Sequence, residues 1–116
     1  MKTTILTLLL CISVSLNTFA QESDYSLVEK TVSYYLDGGT NNDFETLKKA
    51  FHKDARMKFI RGKNYTEVNA LEFFEKAIKP GPKQNRTSVV EQINIAGNAA
   101  NAQLRIDYPN FYFIDY

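Results

Sequence analysis

Around Phe51-His52-Lys53-Asp54-Ala55-Arg56-Met57 the apolar residues change their period. Before this junction Phe44, Leu47 and Phe51 recur at helical spacing; after it Arg56 and Lys58 alternate with Met57 and Phe59, as in a half-buried strand. A chain that passes from one period to the other within a few residues has to pack a helix against a sheet. The rest of the sequence can then be placed around that joint.

Upstream, Ser23 is positioned to cap a helix from about Asp24 to Leu36, with Val28, Val32, Tyr35 and Leu36 on one side and Gly38-Gly39 as its stop. A second helix is expected from the capping box Asn42-Asp43-Phe44-Glu45, with the Asn42 side chain accepting from a free backbone N–H. Downstream, the alternating segment, the turn Arg61-Gly62-Lys63-Asn64 and the extended piece Tyr65 to Val68 form a hairpin. A third helix follows from the box Asn69-Ala70-Leu71-Glu72, with Leu71, Phe74 and Ile78 facing a core and Pro80-Gly81-Pro82 ending it.

The remainder reads as sheet: strands from about Arg86 to Ala96 and from Ala99 to Tyr108, joined by Gly97-Asn98 in a type II′ turn. Counting outward from that turn pairs Ile95 with Ala100, Ile93 with Ala102, Glu91 with Leu104, Val89 with Ile106 and Thr87 with Tyr108 on one apolar face. Glu91 is out of place in that row. Either a β-bulge or an edge position turns it outward, or it is a carboxylate inside a pocket. The order of elements predicts a single α+β domain, with helices covering a curved, mostly antiparallel sheet.

The first twenty residues are of another kind. Lys2, an apolar run from Ile5 to Leu16 and the small-residue end Thr18-Phe19-Ala20 have the parts of a secretory signal peptide, with cleavage expected after Ala20. The run is short of the roughly 20 apolar residues that span a bilayer, so no membrane anchor is expected after cleavage. Residues 1 to 20 hold Lys2 and Cys11, and their removal leaves a domain, 21 to 116, without cysteine and with basic and acidic residues in balance.

Such a chain has to hold together by packing, without disulfides. With His52 as its one histidine it lacks the ligands of an ordinary zinc site, and neither a metal nor another cofactor is expected. Neutral charge argues against nucleic acid as a partner. The local excess of Lys48, Lys49, Lys53, Arg56, Lys58, Arg61 and Lys63 over Asp54 reads first as a solvated face, and second as a surface for anions or lipid headgroups.

Three segments carry a resemblance. Tyr35-Leu36-Asp37-Gly38, Phe51-His52-Lys53-Asp54-Ala55-Arg56 and Ile93-Asn94-Ile95-Ala96-Gly97-Asn98-Ala99-Ala100 resemble, in this order, the nuclear transport factor 2-like (SnoaL-like) superfamily, closest to its lumazine-binding branch. The resemblance implies a cystatin-like cone, in which a bent sheet wraps the first helix and leaves a pocket open at one end. It covers about Leu27 to Tyr116. Relatives continue beyond the segment Phe111 to Tyr116 into a further strand, so the resemblance implies a domain incomplete at its C-terminus, of marginal stability or completed by a partner chain. With the leader it also implies a bacterial exported protein, periplasmic or secreted.

The superfamily's small isomerases and dehydratases carry an acidic base four residues after the alanine that Ala55 matches. That position is Phe59, which takes no proton, so ketosteroid-isomerase chemistry with that base is not expected. Tyr35 matches a helix tyrosine that in those enzymes donates to a developing oxyanion; as an aromatic packed on the sheet it has a structural role too. His52 is either a general base or a group that satisfies the end of the helix before it.

The leading expectation is a non-catalytic pocket for a small apolar or aromatic molecule, lined by Tyr35, Phe59, Phe74 and Tyr108. One alternative is a structural or interaction module that forms a homodimer through Phe111 to Tyr116. The other is an isomerase or dehydratase with Glu91 as base and Tyr35 or Tyr108 polarising a carbonyl.

Overall fold

A computed structural model describes residues 22–116; the expected signal peptide and its expected cleavage after Ala20 lie outside the described residues. Helix α1 (Asp24–Thr40) opens as expected, the Ser23 hydroxyl accepting from the Ser26 N–H at 3.2 Å. It does not stop at Leu36. It runs through Gly38 and Gly39, both buried, to Thr40, and the reason is close approach. A Cβ on Gly38 would lie 2.7 Å from the Leu47 Cα, and one on Gly39 would meet the Arg86 guanidinium. The glycines are contact surfaces here, with the helical hydrogen bonds kept.

The next boundary also differs from expectation by one residue. Asp43, and not Asn42, caps α2 (Phe44–Leu47), its carboxylate accepting from the Thr46 N–H at 3.1 Å and the Thr46 hydroxyl at 2.6 Å. These bonds hold the Asp43 carboxyl below the usual range. Asn42 instead sits at φ 54°, a left-handed conformation that asparagine tolerates better than most residues. There it faces the loop before the long hairpin, giving its amide to the Pro82 carbonyl at 2.6 Å and accepting from Gln84 Nε2 at 2.8 Å.

After a 3-10 turn at Lys48–Ala50, the junction delivers the chain into β1 (Arg56–Arg61), which pairs antiparallel with β2 (Asn64–Asn69) from Arg56↔Asn69 to Arg61↔Asn64. Gly62, at φ +63°, makes that turn. Helix α3 (Ala70–Ala77) starts with the expected Asn69 cap on the Glu72 N–H. Three strands close the fold: β3 (Thr87–Ala96), β4 (Ala99–Asp107) and β5 (Tyr112–Asp115), in the order β3-β4-β5.

The β3-β4 register begins as expected, with Ala96↔Ala99, Ile95↔Ala100 and Ile93↔Ala102. Gly97, at φ +61°, takes the one positive φ of a type II′ turn. Between Val90 and Gln92 the register slips by one residue, so Val90 faces Leu104 and Thr87 pairs with Asp107, not Tyr108. The extra residue is Glu91, left out of the ladder and turned to solvent, where it accepts from Gln103 Nε2 at 2.7 Å. Beyond the bulge, Val90 takes the inward place and Val89 is exposed. Burying an unpaired carboxylate among aliphatic side chains costs several kcal/mol, on the order of the whole gain from burying two or three of them.

The core lies where α1 crosses this sheet. Leu36, Leu104 and Ile106 are buried together, with Val32, Tyr35 and Val90 packed against them, and Leu47 is fully enclosed beneath Gly38. Arg86 fastens the same end. It donates to the Leu36 carbonyl (2.9 Å), the Thr40 hydroxyl (2.9 Å) and the Tyr108 hydroxyl (3.0 Å), placing a cation at the C-terminus of α1, where the helix dipole favours one.

Candidate functional site

Beside this core, along the Val32 and Tyr35 side of α1, lies a half-open cavity of about 600 Å³. Its wall takes Val32 and Tyr35 from α1, Phe51 from the junction, Phe74 from α3, Leu104 from β4 and Asp115 from β5. Tyr35, Phe51 and Phe74 form a triangle of rings with centroids 5.4 to 5.5 Å apart, the Tyr35–Phe51 pair edge to face. Arg56 and Lys58 of β1 reach the wall from the opposite side, both tied to Glu67, at 3.2 and 3.8 Å. Arg56 in turn holds the Glu67 carboxyl below its usual range.

The polar centre is a pair. The Tyr35 hydroxyl donates to Asp115 Oδ2 at 2.6 Å, a short bond of the kind made by a hydroxyl to a carboxylate. Burial first, and then the charge of Asp115, push the Tyr35 hydroxyl well above the ordinary tyrosine value, so it stays protonated and a donor. Asp115 comes inward by register: it lies opposite Leu104, which is buried, and shares its face.

Sequence reasoning missed Asp115, though a signal was present. Pro109-Asn110 is a turn dipeptide, and the Tyr108 N–H bonds the Phe111 carbonyl at 2.8 Å across it. Taking those two residues as the connection and counting outward puts Asp115 opposite Leu104. Arg86, in an otherwise polar loop, carried no comparable signal.

Of the four residues expected to line a pocket, Tyr35 and Phe74 meet in this cavity, and Phe59 and Tyr108 lie elsewhere. Phe59 packs edge to face on Phe73, at 6.0 Å, with the Arg61 guanidinium over its ring. Tyr108 belongs to the fastened end, held by Arg86 and Gln84 and stacked on Phe111 at 4.7 Å. The two other catalytic candidates are also outside. Glu91 sits on the bulge, and His52 is an exposed turn residue whose Nδ1 accepts from the Asp54 N–H at 3.2 Å. His52 therefore serves the turn after the helix and not the last helical carbonyls. The basic run is mostly paired or packed: Lys48 with Glu45, Lys53 with Asp54, Lys49 over the Tyr34 ring.

A helix-covered curved sheet around an aromatic cavity defines the nuclear transport factor 2-like cone. A crystal structure of a nuclear transport factor 2-like protein of unknown function from Shewanella baltica OS155 has this fold, with a TM-score of 0.65 at 21% identity over 72% of this chain and 68% of that one. The sequence profile described as Putative lumazine-binding matches residues 23–116, and the chain belongs to that family. None of the curated proteins matches it.

Proposed function

We propose that this protein is exported and binds a small, partly aromatic molecule in the cavity beside Tyr35, without turning it over. The observation that carries the reading is the cavity: ligand-sized, walled by three rings, with the Tyr35–Asp115 pair as a polar group set among them, which is the usual make-up of a small-molecule site. Fold and family membership support a ligand-binding domain. The scatter of Glu91 and His52 away from Tyr35 argues against the isomerase or dehydratase built on them. Export rests on the sequence of residues 1–20.

A thermal-shift panel of flat ring compounds tests the binding, and the family's label makes a pteridine such as lumazine one natural member of it. A hit should raise Tm in the wild type and not in Phe74→Ala; a panel without any shift refutes the reading. N-terminal sequencing of the protein recovered outside the cytoplasm should begin at Gln21, and an intact Met1 there would refute cleavage.

A second reading has its own observation. Strand β5 is at the sheet edge, and Phe111, Tyr112, Phe113 and Tyr116 are each 49 to 89% exposed. An edge with apolar side chains favours association with a second copy. Sedimentation velocity over a hundredfold range of protein concentration decides it, a constant monomer value ruling it out.

A further inference from the structure

The pocket's carboxylate is only half used. Asp115 Oδ2 holds the Tyr35 hydroxyl, while among the described residues Oδ1 accepts nothing and no Lys, Arg or His nitrogen lies within 4.0 Å of either oxygen. Among those residues no sealed side-chain oxygen or nitrogen lacks a partner, so Oδ1 is not sealed. Asp115 is one of the residues that line the cavity, which makes this exposed oxygen the acceptor a ligand there would find free. An ionised carboxylate offers about four acceptor positions and no donor, and Tyr35 has one proton, already given to Oδ2. Whatever enters the cavity meets an acceptor that no described cation touches; Arg86 acts on the Tyr35–Asp115 pair only from a distance, being bonded to the Leu36 carbonyl, Thr40 and Tyr108.

Resting on the binding reading above, we propose that the ligand presents a cationic or strongly polarised N–H group to Asp115 Oδ1 while its flat body lies against Phe51 and Phe74. A ligand with an acceptor at that end would set lone pair against lone pair in a partly dry site, and would leave Oδ1 desolvated without a donor. The cations across the cavity do not reverse this preference. Arg56 and Lys58 share Glu67, and their side chains are 52 and 60% exposed, so water screens them more than it screens the half-buried Asp115. The side chains Phe51 and Phe74 add ring faces suited to a flat or cationic partner.

Benzamidine, benzamide and benzoate share one shape and differ at the polar end: a cation with N–H donors, a neutral amide and an acceptor-only anion. Titration calorimetry of each into the purified protein should rank benzamidine first, at least tenfold tighter than benzoate. Asp115→Asn should reduce that ratio to under threefold. Should Asp115→Asn fail to fold, the wild type gives the same answer by NMR: saturation with benzamidine should move the Asp115 side-chain carboxyl carbon. Equal or tighter binding of benzoate, a ratio unchanged by Asp115→Asn, or a benzamidine complex with an unmoved Asp115 signal overturns the inference and leaves the cavity a binding site. Failure of all three compounds and of the ring panel above removes the binding reading itself, and the inference with it.

Discussion

The two ends of α1 meet the sheet in opposite ways. At its C-terminal end Gly38 lets Leu47 press on the helix backbone, Leu36 and Ile106 are buried, and Arg86 fastens three elements through three hydrogen bonds. Immediately N-terminal to this end, Val32 and Tyr35 also border a cavity, and among the described residues the direct polar tie across it is Tyr35 to Asp115. The difference shows how a domain of this size can hold both a core and a vacancy. Packing is concentrated at one end, so the other can stay open without the helix lifting from the sheet.

If that division is right, changes at the packed end should cost stability and leave binding of any hit intact in the folded fraction. Leu47→Ala empties a fully enclosed site and should lower the unfolding free energy by about 2–5 kcal/mol, read from the urea midpoint at constant slope. Gly38→Ala is next. Its methyl meets backbone atoms of Leu47 that cannot rotate away, and overpacking of this kind costs about 1–3 kcal/mol. Loss of stability below 0.5 kcal/mol in both variants would mean that α1 is not held at this end, and the comparison would fall.

Arg86→Lys comes third. A lysine keeps the charge at the helix end but cannot serve the Leu36 carbonyl, Thr40 and Tyr108 together, and hydrogen bonds to charged groups are worth about 1.5–3 kcal/mol each at most when a partner is left bare. An expected loss of about 1–2 kcal/mol assumes that water reaches part of the vacated site. An unchanged urea midpoint would show that charge at the helix end, and not the fork, is what matters.

The packed end was the less legible in the sequence and the sheet the more so. Ser23, Asn69, both hairpin turns and the change of period at Phe51 follow local rules that tertiary contact does not alter. Gly38-Gly39 read as a stop because local rules treat glycine as a helix breaker, whereas the contact that requires it, with Leu47, is non-local. Asn42 and Asp43 are both good caps, and the choice between them was made by Pro82 and Gln84, forty residues on. Tyr35 and Phe74, expected to line a pocket because the resemblance implied one and the residues are aromatic, both border the cavity. Phe59 and Tyr108 do not border it, because alternation tells which face a side chain is on and not how far along the sheet the cavity extends.

The open end should be felt in alkali. Tyr35 titrates above the unfolded value of about 10, so its contribution to stability is fully present below that pH and is lost as pH rises past it, the unfolded chain giving up its proton first. Denaturation midpoints should therefore fall above pH 10 more steeply in the wild type than in Tyr35→Phe. Absorbance at 295 nm should show one tyrosine that ionises only with unfolding, absent from the variant. Parallel alkaline limbs in the two proteins would mean that the Tyr35–Asp115 bond is not made in solution.

The smallest effect is the one that separates the cavity from the bulge. Glu91 is exposed, and among the described residues Gln103 is its one side-chain partner at 2.7 Å, so Glu91→Gln replaces a solvated carboxylate by an amide that can still accept. Stability should change by no more than about 0.5 kcal/mol, as at ordinary surface positions. Affinity for any compound that binds beside Tyr35 should be unchanged, while Asp115→Asn alters it. If Glu91→Gln instead weakened binding as much as Asp115→Asn does, the bulge would have to lie inside the site, and the register slip between Val90 and Gln92 that turns Glu91 outward could not persist in the bound state.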